Sequence, residues 1–298
     1  MNRPRAAEAA LVFNTVIWGA TFVLIKEALN DVSATLFLAL RFTLAAGALL
    51  LYFRRAAIPN RKVPGRTWKA VGAGAVAGTF LFSGYIFQTI GLGLTTAPRS
   101  AFITGLTSIA VPLVAAGVYR VRPRISEVLG LLVATGGLAL MTMPGVLGPM
   151  RLGDLLTVVC AVGFAAHIVT LGHFSERMSY ELLAVTQIGV AALWSWALFA
   201  VVETPRVAWR PAVVWAILIT GLFATALAFT IQAWAMQYTS PARTALIFML
   251  EPVVAWIMSY CLVGEGLSGR AAAGAGLILG GVLLVELKPL HARQHPLQ

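Results

Sequence analysis

Apolar stretches of roughly twenty residues alternate with short polar breaks along the whole chain, and no other feature limits its fold so tightly. At about 1.5 Å rise per residue, such a stretch crosses the hydrocarbon core of a bilayer. Of the 298 residues, 59% are hydrophobic and 11% charged, where an ordinary soluble domain carries about 25% charged residues. A soluble fold of this length has no interior for so much apolar surface, so lipid is the solvent for much of it. The reading is all-α: a polytopic integral membrane protein with ten transmembrane helices at 9–26, 34–53, 69–90, 100–119, 125–143, 153–172, 182–202, 212–236, 241–263 and 270–287. No room is left for a soluble domain. The longest connection, Arg54 to Trp68, is a tether.

The formal net charge of +11 raises the question of nucleic acid, and the placement of the charges answers it. With a cytoplasmic N-terminus and ten alternating helices, fifteen of the 22 Lys and Arg residues fall inside and six outside, with Arg41 within a span. Arg54, Arg55, Arg61, Lys62, Arg66 and Lys69 crowd the second connection, whereas Arg206 and Arg210 are all that its counterpart in the second half keeps. This is the positive-inside bias of a membrane protein; no nucleic acid partner is expected. Residues 1–8 and 288–298 read as cytoplasmic termini, with no removable signal peptide. Cys160 and Cys261 fall inside spans and suit neither a disulfide nor a metal site. Arginine far outnumbers lysine and alanine is abundant, which points to a bacterial inner (plasma) membrane.

The chain also repeats itself. A shift of 144 lays Thr95–Ile103 (TTAPRSAFI) on Thr239–Ile247 (TSPARTALI), Gln88 on Gln232, Gly130 on Gly274, and Gly136 and Gly137 on Gly280 and Gly281. A shift of 146 lays Ser33 on Ser179 and Leu36 on Leu182. Two five-helix repeats follow, 9–143 and 153–287, joined by a loop at 144–152. Five is odd, so the second copy enters the membrane from the opposite side. Inverted repeats of this kind place a substrate site near the midplane, where the copies meet, and allow alternating access.

Trp18-Gly19-Ala20-Thr21-Phe22, Arg41, the Thr239-Ser240-Pro241-Ala242-Arg243 run, Glu251-Pro252, and Gly264-Glu265 before a glycine-rich last helix together resemble the EamA family of the drug/metabolite transporter superfamily. The resemblance covers nearly the whole chain and within the family is nearest to YddG-type exporters of aromatic amino acids. It implies ten helices, both termini cytoplasmic, a central cavity lined by helices 1–4 and 6–9, and helices 5 and 10 at the periphery. The first half departs from the pattern, with Arg120-Val121-Arg122-Pro123 where the second has Gly-Glu.

Polar side chains that hydrocarbon would penalise mark the candidate site. Helical spacing puts Asn14, Trp18 and Thr21 on one stripe, and Tyr85 with Gln88 on another. Ser100, Thr104, Thr107 and Ser108 share the fourth span. Thr157, Cys160, Phe164 and His167 align in the sixth, Thr225, Phe229 and Gln232 in the eighth, and Thr244, Phe248 and Glu251 in the ninth. A single Ser or Thr more often bonds back to its own helix, so the repeat-equivalent amides Gln88 and Gln232 carry more weight. His167 reads equally as a packing or a cavity residue. Arg41 and Glu251 lie well inside spans, where a charge costs about 2.5–3.5 kcal/mol. Both therefore face protein or water, and they are candidates to pair, either structurally or around a zwitterionic amino acid. Pro112 and Pro252 are expected to interrupt their helices and free backbone carbonyls. The small residues Ala272, Gly276 and Gly280, and Gly74 with Gly78, are expected to pack helices closely within the molecule. Trp68, Trp209 and Trp215 sit at span ends as interfacial anchors.

No Walker motif and no cytoplasmic domain are present, so ATP-driven transport is excluded. Nor is there a G-x-S-x-G, an H-E-x-x-H or a pair of intramembrane carboxylates for an intramembrane enzyme. No cofactor or metal is expected. The reading is a secondary transporter exporting amino acids, aromatic or broadly neutral, with other small metabolites or cationic drugs as the alternative substrates.

Overall fold

The computed structural model describes residues 3–54, 64–95, 97–120, 124–142, 149–175, 177–202, 204, 206–263 and 268–286. These form α1 (Arg3–Ala28), α2 (Ala34–Tyr52), α3 (Pro64–Leu94), α4 (Ala97–Gly105), α5 (Thr107–Tyr119), α6 (Ile125–Thr142), α7 (Leu152–Ser175) and α8 (Tyr180–Val202). Then come α9 (Pro211–Gly221), a π-helical segment (Leu222–Leu227), α10 (Ala228–Ala235), α11 (Pro241–Phe248), α12 (Glu251–Val263) and α13 (Gly269–Glu286). Among the described residues eight helical stretches, α1 not among them, are long and apolar enough to cross a membrane, and Gly269–Val285 is a shorter apolar helix. Helix α1 starts at Arg3, inside the stretch read as a polar tail. Gly264-Glu265 and Val121-Arg122-Pro123 lie outside the described residues.

Two helical rods are broken, at repeat-equivalent points. Leu106 separates α4 from α5, and its N–H reaches back three residues to the Ile103 carbonyl at 3.1 Å. Leu250, with Met249, separates α11 from α12, and its N–H reaches the Ile247 carbonyl at 3.0 Å. The shift of 144 carries both residues of the first bond onto those of the second. The prolines account for only one break. Pro252 lies in the first turn of α12, cannot donate to the Phe248 carbonyl, and so ends α11. Pro112 corrects the expectation: it sits inside a continuous α5, six residues past the break.

Lipid gives helices no hydrophobic reason to associate, so close approach of small residues holds them together. A Cβ at Gly137 would fall 2.5 Å from the Gly274 carbonyl oxygen, and one at Gly274 would fall 2.5 Å from that of Gly137. Gly130 and Gly281 meet in the same reciprocal way. Helices α6 and α13 thus cross on matched glycines, one from each copy. Gly276 and Gly280, expected to pack, have nothing within 4 Å, and Ala272 is exposed; the packing stripe of α13 is Gly274 and Gly281. Gly74 and Gly78 behave as expected, lying against Thr186 and the Gln187 backbone of α8. Large apolar side chains such as Leu132, Leu193 and Leu283 point outward, as do Trp68, Trp209 and Trp215.

The helix ends define two faces. On one, Arg243 donates from Nη1 to Glu8 Oε1 at 2.8 Å and from Nη2 to the Val285 carbonyl at 3.4 Å. This brings the start of α1, the start of α11 and the end of α13 together, and we call it the terminal face. On the opposite face, Val32 and Val207 form an antiparallel bridge, and exposed Arg210 lies 3.6 Å from Asp31. A cavity of about 370 Å³ opens there, lined by Ser33, Thr89, Gly93, Thr204 and Arg206 among others.

Candidate functional site

The π-helical segment organises the centre of the molecule. A π turn takes its ladder out of α-helical register and leaves carbonyls available to side chains. The Ala224 carbonyl accepts from Trp18 Nε1 at 2.9 Å and from an Arg41 Nη at 3.3 Å. Thr225 Oγ1 donates to the Thr220 carbonyl, five residues back, at 2.8 Å, and accepts from Arg41 Nε at 2.6 Å. Just beyond the segment, the Ala228 carbonyl accepts from Asn14 Nδ2 at 2.7 Å. Helices α1 and α2 are therefore pinned to the backbone of this segment and of the turn that follows it.

Arg41 is 2% exposed, and its charge is spread over this site without a carboxylate. Besides Thr225 and Ala224, it donates to the Tyr85 hydroxyl at 3.2 Å and lies 4.7 Å from the Tyr85 ring centroid. The expected Arg41–Glu251 pair does not form: the guanidinium is satisfied by neutral acceptors, and among the described residues Glu251 makes no ion pair. Glu251 lies within electrostatic reach of Tyr85 and Cys160.

Around this point the stripes fall into layers. Trp18 packs on Phe229 at 5.5 Å between ring centroids and edge-on to Phe248 at 4.9 Å. One turn nearer the terminal face, the same three helices present Asn14, Gln232 and Thr244. One turn the other way they present Thr21, Thr225 and Glu251, beside Arg41 and Tyr85. Beside the aromatic layer, Tyr85 meets Phe164 edge-on at 5.2 Å. The repeat shifts carry Trp18 onto Phe164 and Tyr85 onto Phe229, so Trp18–Phe229 and Phe164–Tyr85 are the same contact made by the two copies.

The remaining expected residues divide. His167 is buried, its Nε2 2.8 Å from Gln187 Oε1 and its ring 5.7 Å from Phe229. Thr21 bonds back to Ile17 and Trp18 carbonyls, as a packing threonine does. Gln88 is only half-buried, whereas its counterpart Gln232 is 1% exposed, so the two amides are not equivalent in depth. Thr104 and Thr107 flank the Leu106 break, and the Thr107 hydroxyl is buried without a hydrogen-bond partner. One central residue was not among the candidates. Gln187 stands where the shift of 146 places Arg41, and that correspondence was the signal for it. Among the described residues no three His, Cys, Asp or Glu side chains converge as metal ligands, and Cys160 and Cys261 are both free thiols.

A family model described as the EamA-like transporter family matches residues 6–143 and 151–287. An uncharacterized transporter of Archaeoglobus fulgidus is 34% identical over 95% of this chain and 86% of its own. The uncharacterized transporter YvbV of Bacillus subtilis is 27% identical over 90% of this chain and 78% of its own. YoaV of the same organism, also an uncharacterized transporter, is 20% identical over 91% and 93%. One crystal structure superposes with a TM-score of 0.79 at 20% identity, covering 95% of this chain and 97% of that one, and so shares the fold.

Proposed function

We propose that this chain, which belongs to the EamA-like transporter family and is a membrane transporter, exports amino acids with aromatic or other neutral side chains as a secondary transporter working by alternating access. The observation that carries the reading is the layered centre. An aromatic layer, Trp18, Phe229 and Phe248, separates a polar layer holding Arg41, Tyr85 and Glu251 from another holding Asn14, Gln232 and Thr244. Apolar walls suit the side chain of such a solute, and polar groups on either side suit its charged end. The broken rods at Leu106 and Leu250 supply flexible points beside these layers, where a helix half can tilt without unpacking the glycine-locked α6–α13 pair.

In this reading the ten helical stretches all cross the membrane, as two inverted repeats at 9–143 and 153–287, and helices α6 and α13 sit outside the pathway. The 15-to-6 distribution of basic residues puts the terminal face in the cytoplasm. Substrate contacts come from Asn14, Trp18, Tyr85, Thr104, Thr107, Phe164, His167, Gln232, Phe248 and Glu251, with Thr21 and Gln88 at the margin and Arg41 as the organiser. The test is uptake of a panel of labelled amino acids into proteoliposomes, with and without a pH gradient. Saturable uptake of large neutral members without ATP is the expected result. Transport confined to solutes with no amino group would remove the amino acid assignment.

A further inference from the structure

The layer nearest the terminal face has a chemical bias. Asn14, Gln232 and Thr244 are 0%, 1% and 0% exposed, come from three different helices, and each leaves an oxygen without a hydrogen-bond partner: Asn14 Oδ1, Gln232 Oε1 and Thr244 Oγ1. A buried acceptor left unpaired is costly, and three in one layer are not explained by packing. Back-bonding to its own helix would satisfy Thr244, as it satisfies Thr15, Thr21 and Thr157, yet Thr244 does not use it. The amide orientation of Asn14 is unambiguous, because only its nitrogen can donate to the Ala228 carbonyl.

One N–H of each amide is engaged: Asn14 Nδ2 donates to the Ala228 carbonyl at 2.7 Å, and Gln232 Nε2 points at Met236 Sδ at 3.9 Å, a weak acceptor. The guanidiniums on either side are also occupied, Arg243 by Glu8 and Val285 and Arg41 by Thr225, Tyr85 and Ala224. A carboxylate entering here would bring two more acceptors to three oxygens that already lack donors. An ammonium brings three N–H donors and no acceptor, which matches three free oxygens.

The geometry points to this layer as an ammonium-binding station: it takes the amino end of the solute after its apolar body has passed the Trp18–Phe229–Phe248 layer. The assignment rests on the transport reading but concerns the ligand's chemistry. It makes the recognised group the amine, not the carboxylate.

Binding to the purified full-length protein in nanodiscs tests it with three probes that share a phenyl ring: 2-phenylethylamine, L-phenylalanine and 3-phenylpropionate. The first two are expected to bind and the third to bind at least about tenfold more weakly, the scale of one lost hydrogen bond to a charged group. Thr244→Val removes the hydroxyl at constant shape and should weaken 2-phenylethylamine severalfold with the melting temperature kept. Gln232→Glu adds a negative charge and should tighten it, a gain that misfolding cannot imitate. Equal binding of 3-phenylpropionate and 2-phenylethylamine, or unchanged amine affinity in both variants, would overturn the assignment. Amine binding without any solute flux would sink the transport reading and leave this one standing. Flux of carboxylates by a protein that ignores amines would do the reverse.

Discussion

Arg41 Nε donates to Thr225 Oγ1 at 2.6 Å, joining residues 184 positions apart and fixing α2 to the π-helical segment. A hydrogen bond to a buried charge contributes about 1.5–3 kcal/mol. Thr225→Val keeps the shape and removes the acceptor, so it should lower thermal stability in detergent by about that amount, while Thr225→Ser stays near wild type. Equal melting temperatures for Val and Ser would show that Thr225 is not what holds the guanidinium.

The glycines of α13 give a second, paired prediction. Gly137→Ala would push a methyl group into the Gly274 backbone, and overpacking of this kind costs about 1–3 kcal/mol. Gly280→Ala meets nothing within 4 Å and replaces a poor helix former with the best one, so it should be neutral or stabilising by up to about 1 kcal/mol. Unfolding of both variants in detergent measures the contrast. A destabilised Gly280→Ala with a normal Gly137→Ala would reverse the packing face of the helix.

How far the sequence went can be judged on these same residues. Hydropathy located the helices, because a span needs only length and apolarity, but α1 begins at Arg3 and α3 at Pro64, ahead of the stretches read at 9–26 and 69–90. The shift of 144 lays Gly130 on Gly274 and Gly137 on Gly281, while the contacts run crosswise, Gly130 to Gly281 and Gly137 to Gly274. The repeat did not say which glycines touch. Gly276 and Gly280 have the same small-residue spacing as Gly74 and Gly78, and only the helix's rotation against α6 separates the lipid-facing pair from the packed one. Arg41 was singled out correctly as a buried charge, but its partner was sought among acids. The real partners are a threonine, a tyrosine and a carbonyl released by a π turn, and nothing in the residues 222–227 announces that turn. The break at Leu106 was hidden for a related reason: the visible proline, Pro112, sits in a helix that tolerates it.

Orientation is open to direct labelling. In a protein whose Cys160 and Cys261 are replaced, a cysteine at Arg151 should react with an impermeant thiol reagent in intact cells, and one at Arg177 should react only after lysis. Both positions are exposed and lie at opposite ends of α7. Labelling of position 177 from outside would invert the assignment of the terminal face.

Glu251 separates two mechanisms. A carboxyl that meets the substrate's ammonium in passing slows flux when neutralised, whereas one that carries the coupling proton loses the response to pH. Glu251 lies across the Trp18–Phe229–Phe248 layer from the amine station, so the layered site predicts the former. Glu251→Gln should fold, bind 2-phenylethylamine within about threefold of wild type, slow L-phenylalanine exchange about tenfold, and keep whatever response to a pH gradient the wild type shows. Loss of that response with exchange intact would assign the residue to proton coupling instead.

The central claim is that the chain moves an amino acid chemically unchanged through the Trp18–Phe229–Phe248 layer, and counterflow tests it most directly. Proteoliposomes loaded with unlabelled L-phenylalanine should take up external labelled L-phenylalanine transiently, without ATP, and release it as the same compound. Thr244→Val should slow this exchange, and Gly280→Ala should not. No counterflow from well-folded protein, or counterflow that Thr244→Val and Gln232→Leu both leave at the wild-type rate, would contradict the account.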